Sequence, residues 1–380
     1  MTPYQSEYEG YMGNYGNTLD RWYRRAAIVV WPRERAFAAR AEAGSGWALR
    51  EIRSRAEAGD LPGARGAAQS LAPFWERLKP DAGLLTAALD AAQAVNSAET
   101  AAMLLRPFHT GLLTREHTGG LAAAAGRYGE DWAQGIVTGW FEPRHHHIHD
   151  SLAEWADTTL PELHGALYTS GSPYLARLLT AETWRRLAGE LRTWASLTRG
   201  DVRRPGLKTL SVPLARLLDL ADPTLRTTIT MDVRAYEDTV LECLMPTLRL
   251  AHTRSTPGLG QLARDCAWRL RPIAAAPPRA DGDWSIAWTG CGCDLCEQLG
   301  AFLASRTRQV HEWPLAKDGR RHIHTGIDTA ELPVRHHTRR QGRPYTLVLT
   351  KTDRLFTDAA NTRAKAAADL AWLRKTHGTY

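Results

Sequence analysis

Long apolar runs and targeting signals are missing from this chain. No stretch approaches the ~18 consecutive apolar residues that a membrane-spanning helix needs. The N-terminus also lacks the order of basic, apolar and small residues that marks a secretory signal. We therefore expect a cytoplasmic protein with no membrane partner.

Enzyme motifs are equally scarce. The sequence contains no Gly-x-Ser-x-Gly, no Gly-x4-Gly-Lys-Ser/Thr and no complete Gly-x-Gly-x-x-Gly opening a helix. Such motifs present a nucleophile or bind phosphates in hydrolases, nucleoside triphosphatases and dinucleotide enzymes. No residues therefore support an independent enzyme of these classes.

Cysteine is sparse, with five residues in a chain of 380. Three of them fall within six positions, which is not the spacing of a secreted disulfide framework. Hydrophobic content of 43% and charged content of 23% are globular values. The length predicts two or three structural units, because single cores seldom grow so large.

The net charge is +7, with a pI near 9.3. A basic balance permits nucleic acid or acidic protein partners through long-range attraction, but carries no information about the fold. Arginines that solvate helix faces are the simpler interpretation.

Residues 33–272 carry a helical pattern of alanine- and leucine-rich segments separated by short Gly, Pro or Ser breaks. One apolar stripe consists of Trp184, Leu187, Leu191 and Trp194. A second stripe is followed by Asn96-Ser97, which predicts a tight connection between two antiparallel helices; its members are Leu85, Ala88, Leu89, Ala92 and Val95.

Tryptophans recur in pairs, Trp132 with Trp140 and Trp184 with Trp194. The pairs suggest stacked helical hairpins of the HEAT or armadillo kind, which present extended surfaces to protein partners. No fixed repeat period accompanies them, so a single irregular helical domain is the alternative.

The composition changes after a proline-rich linker at 273–280. Strand-like runs at 284–288, 322–327 and 345–349, followed by a helix over about 358–375, predict a small α+β module at 281–380. The predicted architecture is therefore mostly α, with an N-terminal loop and strand at 1–32, a helical domain at 33–272 and this module.

The sequence Cys291-x-Cys293-x-x-Cys296 is the main candidate for chemistry. Asp294 is predicted to cap a helix, so that Cys296 lies in the first turn near the positive end of the helix dipole. Three thiolates plus one histidine form a common structural zinc site. His322 and His324 would point the same way from a strand, so either is a candidate fourth ligand.

Two other interpretations of the cluster stay open. Cys293 and Cys296 have the spacing of a reactive dithiol, although no thioredoxin-like βαβ pattern surrounds them. Free cysteines are also frequent core residues, and this is the prediction for Cys243 and Cys266, which lie in apolar helical segments.

Histidine and arginine runs give two further candidates. The histidines at 145–149 suit a metal in principle, but they follow a proline and precede a helix start, so a solvated loop is expected. Arg320, Arg321 and the arginines of 335–343 suggest a zinc-stabilised basic module that binds nucleic acid. An exposed turn is the simpler expectation, because no zinc-finger or aromatic RNA-binding motif accompanies them.

Several segments carry a family resemblance. They are Gly-Tyr-Met-Gly-Asn-Tyr-Gly at 10–16, the sequence from Trp22 to Pro32, the cysteine cluster at 291–296, and the stretch from Arg343 to Lys351. Together they resemble the region downstream of the catalytic domain in bacterial and fungal prolyl-4-hydroxylase-like 2-oxoglutarate/iron(II) oxygenases. The resemblance implies that this chain corresponds to the C-terminal region of such a protein.

The iron site of that family has no counterpart in the sequence. Such oxygenases bind iron through two histidines and a carboxylate, and the first two ligands usually form His-x-Asp or His-x-Glu. None of the 14 histidines is followed two places later by Asp or Glu. We therefore expect a noncatalytic interaction region that binds neither iron(II) nor 2-oxoglutarate.

The N-terminal run Ile28-Val29-Val30-Trp31 is continuous and apolar, which is typical of a covered strand. Such a strand needs a partner for its backbone groups. We expect it to pair with Tyr345–Leu349 of the C-terminal module.

Overall fold

The computed structural model describes residues 45–75, 80–142, 152–196, 206–235 and 240–378. Helices predominate, and a three-stranded antiparallel sheet lies near the C-terminus. This confirms the predicted class, a mostly helical protein with a small α+β module. None of the helices in the described ranges is both long and apolar enough to cross a membrane.

The chain divides into two compact units, residues 1–183 and 184–380. The described helices that begin in the first unit are α1 Ser45–Glu57, α2 Leu61–Trp75, α3 Ala82–Ala94, α4 Ala98–Leu105, α5 Thr118–Tyr128, α6 Glu130–Trp140, α7 Leu152–Thr169 and α8 Pro173–Ser196. Two short 3-10 turns, Thr110–Leu112 and Arg115–His117, connect α4 to α5.

Helices of the first unit pack in a regular order. Helix α1 contacts α2 and α3, α3 contacts α4 and α5, and α5 contacts α6 and α7. In addition, α2 contacts α4, and α4 contacts α6. Helices α1, α3 and α5 thus each pack against the next helix in the chain and against the one after that. This is the arrangement of stacked helical hairpins, in which each pair covers the apolar face of the next.

Tryptophan side chains reinforce this stack. The Trp75 indole N–H donates to the Leu104 carbonyl at 2.7 Å, and the Trp140 indole N–H donates to the Leu105 carbonyl at 2.9 Å. The last carbonyls of a helix have no donor within the helix. Indoles from α2 and α6 therefore satisfy the C-terminal end of α4 from two sides.

Both predicted apolar stripes lie in the core. The α3 stripe with Val95 is fully buried, and Asn96 adopts a left-handed conformation (φ 47°) before Ser97 caps α4. Trp184, Leu187 and Leu191 are buried, whereas Trp194 is half-buried.

The second unit begins with further helices. They are α9 Ser211–Leu220, α10 Pro223–Arg234, α11 Met245–Thr253 and α12 Gly260–Ala275, with a π-helical turn at Val240–Leu244. Cys243 and Cys266 are fully buried, and burial raises the pKa of both thiols to about 12. Both cysteines are core residues, as predicted.

The elements that follow form the predicted α+β module. They are α13 Asp294–Ala304, β1 Val310–Pro314, α14 Lys317–Thr329, β2 Val334–Arg339, β3 Thr346–Lys351 and α15 Arg354–His377. Helix α15 packs along α12, and Arg249 of α11 pairs with the buried Asp369 of α15 at 2.7 Å. The last helix of the module therefore contacts helices that precede the proline-rich segment.

The strand order is β1-β3-β2, and both pairings are antiparallel. One face of the sheet belongs to a core that α13 and α14 also enter. The members of that core include Leu299, Phe302 and Leu303 of α13, Trp313 of β1, Ile323 and Ile327 of α14, Val334 of β2, and Leu347 and Leu349 of β3.

Three local predictions for this module are wrong. Residues 322–327 are helical because Ile323 and Ile327, four positions apart, both reach the core from α14. Residues 284–288 are not a strand, although Trp284 and Ile286 donate backbone hydrogen bonds to Arg306 and Leu303. The arginine-rich segment at 335–343 begins as strand β2 rather than as a turn. In contrast, the strand near 345–349 and the final helix are confirmed.

The apolar run 28–31 and the histidines at 145–149 lie outside the described residues. Strand β3 nevertheless has β1 on one edge and β2 on the other. Both edges of β3 are therefore occupied by described strands, and the predicted pairing of residues 28–31 with Tyr345–Leu349 involves residues outside the described ranges.

A buried lysine fixes the C-terminal end of α13. The Lys351 ammonium donates to the carbonyls of Leu303 at 2.9 Å and Ser305 at 2.7 Å, and lies 4.8 Å from the centre of the Phe302 ring. A cation at this end of a helix interacts favourably with the helix dipole. Burial nevertheless lowers the pKa of Lys351 to about 8.

We expect Lys351→Met to destabilise the protein by about 1–3 kcal/mol, because the carbonyls at the end of α13 lose a buried donor. Urea unfolding measures the change. The matched substitution Lys317→Met removes an exposed lysine of the same module and should change stability by less than ~0.5 kcal/mol. Equal effects of the two substitutions would contradict this role for Lys351.

Candidate metal centre

The cysteine segment is a tight loop that leads directly into α13. Cys293 is the N-cap residue, with extended backbone angles (φ −83°, ψ 160°), and its carbonyl accepts the first helical hydrogen bond from Glu297 at 3.0 Å. The prediction that Asp294 caps the helix is wrong by one position, because Asp294 is the first helical residue. Cys296 still lies in the first turn, where the backbone N–H groups point towards the loop.

Two glycines allow the loop to approach the helix. A β-carbon at Gly290 would lie 2.5 Å from the Cys296 β-carbon and 2.8 Å from its sulfur. Gly292 has φ +85°, a left-handed conformation that other residues rarely adopt. Cys291 and Cys293 can therefore face the same point as Cys296.

His322 reaches the same point from α14. Its Nε2 atom lies 3.6 Å from the sulfur of Cys291, 3.4 Å from that of Cys293 and 3.2 Å from that of Cys296. The sulfurs of Cys291 and Cys296 are 3.5 Å apart. Ile323 and Ile327 anchor α14 in the core, so the packing of this helix fixes the backbone position of the exposed His322.

The three nitrogen–sulfur distances and the distance between the sulfurs of Cys291 and Cys296 are close to those of a tetrahedral metal site. With metal–sulfur bonds of ~2.3 Å and metal–nitrogen bonds of ~2.0–2.1 Å, tetrahedral geometry places the ligand atoms roughly 3.5–3.8 Å apart. All four ligand atoms lie within 4.8 Å of one another. The structure therefore contains a Cys3His cluster that can hold a metal ion, and it is the one such group among the described residues.

His324 lies away from the cluster. Its ring packs edge-on against the ring of His336 of β2, with centroids 4.3 Å apart. Side chains two residues apart in a helix are rotated by about 200° around the helix axis. His322 and His324 therefore lie on nearly opposite sides of α14 and cannot face one point. The prediction that they share a face is wrong because the segment is helical.

The pKa values of Cys291 and Cys296 are shifted in opposite directions. Hydrogen bonding from the backbone N–H of Cys293, and then from the thiols of Cys293 and Cys296, lowers the pKa of Cys291. Burial is the main cause that raises the pKa of Cys296 to about 11. A bound cation would offset that burial, because metal coordination deprotonates a thiol.

The alternative interpretations fit this geometry less well. Cys291 is exposed, which does not match a simple core role for the whole cluster. All three thiols are free, so no disulfide joins Cys293 and Cys296, the predicted dithiol pair. Sulfur atoms grouped around an imidazole nitrogen suit metal coordination better than a dithiol pair.

Arg320 has a structural role that sequence reasoning did not anticipate. Its guanidinium donates to the carbonyls of Leu315 and Tyr345 and lies 5.3 Å from the centre of the Tyr345 ring. This contact ties the start of α14 to the start of β3. Nothing in the sequence distinguishes Arg320 from the exposed Arg321 beside it.

Comparisons with known protein families, with curated proteins and with solved structures find no match. The resemblance to the C-terminal region of prolyl-4-hydroxylase-like oxygenases therefore stays a prediction.

We expect Gly290→Ala to destabilise the module by about 1–3 kcal/mol, since the added methyl group must displace Cys296 from its place against the loop. Thermal or urea unfolding measures the effect. Gly300→Ala is the matched control, because the space around Gly300 on α13 is open and alanine should stabilise the helix by ~0.5–1 kcal/mol. A neutral Gly290→Ala would contradict the close-approach argument.

Proposed function

We propose that Cys291, Cys293, Cys296 and His322 bind a structural zinc ion. The observation that carries the proposal is the convergence of four ligand atoms from two separate segments, the loop before α13 and the middle of α14. Three thiolates and one imidazole are a ligand set typical of zinc. Four protein ligands leave no coordination position for a substrate, so the proposed role is structural.

A zinc ion at this point would hold together parts of a small core. The loop is exposed at Cys291, and His322 lies at the surface of α14. Free energy of metal binding adds directly to folding free energy when the ligands come together only in the folded state. Bound zinc would thus fix the N-terminal end of α13, as Lys351 fixes its C-terminal end.

We further propose that the chain is a noncatalytic interaction region of an oxygenase-like protein. The absence of a His-x-Asp or His-x-Glu sequence supports the noncatalytic part of this proposal. The Cys3His set supports it as well, because four protein ligands leave no open coordination position. Stacked hairpins of the first unit suit a protein partner, because they present long surfaces built from rigid elements.

A groove between α4 and α6 is the best candidate surface for that partner. It encloses about 570 Å³. Met103, Trp132 and Ile136 contribute apolar groups. The charged lining consists of three acidic residues and one basic residue, namely Glu99, Asp131, Glu142 and Arg106. An amphipathic partner helix with basic residues has the matching chemistry.

We expect purified protein to contain one zinc ion per chain, measured by elemental analysis. His322→Gln and Cys293→Ser should each lose the metal and expose the backbone of residues 284–349 to hydrogen exchange, because the ligands hold this segment together. The first unit should keep its protection, since its core is separate.

His324→Gln is the matched control, because it alters the same helix two positions from the proposed ligand. It should retain zinc. Metal-free wild-type protein, or zinc loss from His324→Gln together with retention in His322→Gln, would refute the assignment.

The noncatalytic proposal predicts no turnover of 2-oxoglutarate. With iron(II), ascorbate and 2-oxoglutarate added, succinate formation should equal that of a protein-free reaction, because the chain lacks the iron-binding sequence. Chromatographic measurement of succinate tests this. Succinate that scales with protein concentration would overturn the proposal.

A further inference from the structure

The sheet of the second unit has an open face opposite its core. Strand alternation sends Val334, His336 and Thr338 towards one side and Arg335, His337 and Arg339 towards the other. All three residues of the second set are exposed. Two more exposed arginines, Arg340 and Arg343, continue the basic run in the turn after β2.

Cross-strand register places hydroxyl groups beside these arginines. Arg335 is opposite Thr350 and Arg339 is opposite Thr346, and both threonines are half-buried on β3. Directly opposite residues of neighbouring strands have β-carbons about 5 Å apart. The open face therefore carries two pairs of a guanidinium and a hydroxyl, which are common phosphate donors in nucleic-acid complexes.

One carboxylate limits the positive charge of this face. Glu312 of β1, the only acid in the three strands, binds both terminal nitrogens of Arg339 at 2.9 and 2.5 Å. The pair spans β3 and holds the pKa of Glu312 below its usual value. No carboxylate of the described residues pairs with Arg335, Arg340 or Arg343, so these three remain able to bind an anion.

We propose that this face binds the phosphate backbone of duplex nucleic acid. The inference rests on the proposed zinc-held module, which supports the sheet. Arginine binds phosphate bidentately. The face has too few exposed apolar groups for a protein interface core, because Val348 at its centre is buried and Val310 is its main exposed apolar side chain.

A duplex fits better than a single strand. The outward residues of the three strands include no Phe, Tyr or Trp, so unpaired bases would find no stacking platform of the kind that single-strand binders use. Binding should therefore be independent of sequence and governed by release of counterions from the duplex.

The test uses the full chain and a short fluorescein-labelled DNA duplex, with anisotropy titrations over a range of KCl concentrations. Arg335→Gln should weaken binding and make the slope of log K against log salt shallower by about 0.9, the value for one phosphate contact. Glu312→Gln should strengthen binding and steepen the slope by about 0.9, because it frees Arg339.

Lys317→Gln is the matched control. It removes one positive charge from the start of α14, the helix that packs on the core side of the sheet, and should leave the slope unchanged. Equal slopes for Arg335→Gln, Glu312→Gln and wild type would overturn the proposal. Tighter binding of the matching single strand would overturn it, as would equally tight binding of polyglutamate, which would indicate an acidic protein partner.

Zinc content measured on the same samples separates this inference from the proposed function. A chain that contains zinc but shows no dependence on Arg335 and Glu312 refutes only the nucleic-acid face. A chain without zinc that still shows both slope changes refutes only the zinc site.

Discussion

Attachment of α13 at both ends is the constraint on which the C-terminal module depends. The first turn of α13 carries Cys296 into a cluster with two loop cysteines and His322, and the last carbonyls accept hydrogen bonds from Lys351 of the central strand. Each attachment joins segments far apart in the chain. The N-terminal end of α13 therefore lies beside His322 of α14, and its C-terminal end is hydrogen-bonded to the sheet.

The first unit satisfies the end of a buried helix with tryptophan side chains. Carbonyls at the end of a buried helix need donors from outside that helix, and α4 receives them from the indoles of Trp75 and Trp140. An indole combines a large apolar surface with a single N–H donor. Each of these tryptophans can therefore pack in the core and also donate a hydrogen bond to a carbonyl at the end of α4.

Basic residues of the module differ in role despite their similar appearance in the sequence. Arg320 binds backbone carbonyls and Arg339 binds Glu312, whereas Arg335 lies on the open face without a carboxylate partner in the described part of the chain. The net charge therefore overstates how many basic side chains of the module are available to bind an anion. Strand alternation and cross-strand register, rather than composition, decide which guanidinium groups can meet a phosphate.

The sequence by itself determined the helical stripes, the mostly α class, the final strand and helix, and the grouping of Cys291, Cys293 and Cys296, because these depend on spacing within a few residues. Only the tertiary structure decided that residues 322–327 are helical, that His322 rather than His324 meets the sulfurs, and that β3 has no free edge. Those outcomes depend on the packing of α14 against α13 and on strand pairing between distant segments. Both are nonlocal contacts, which local propensity does not encode.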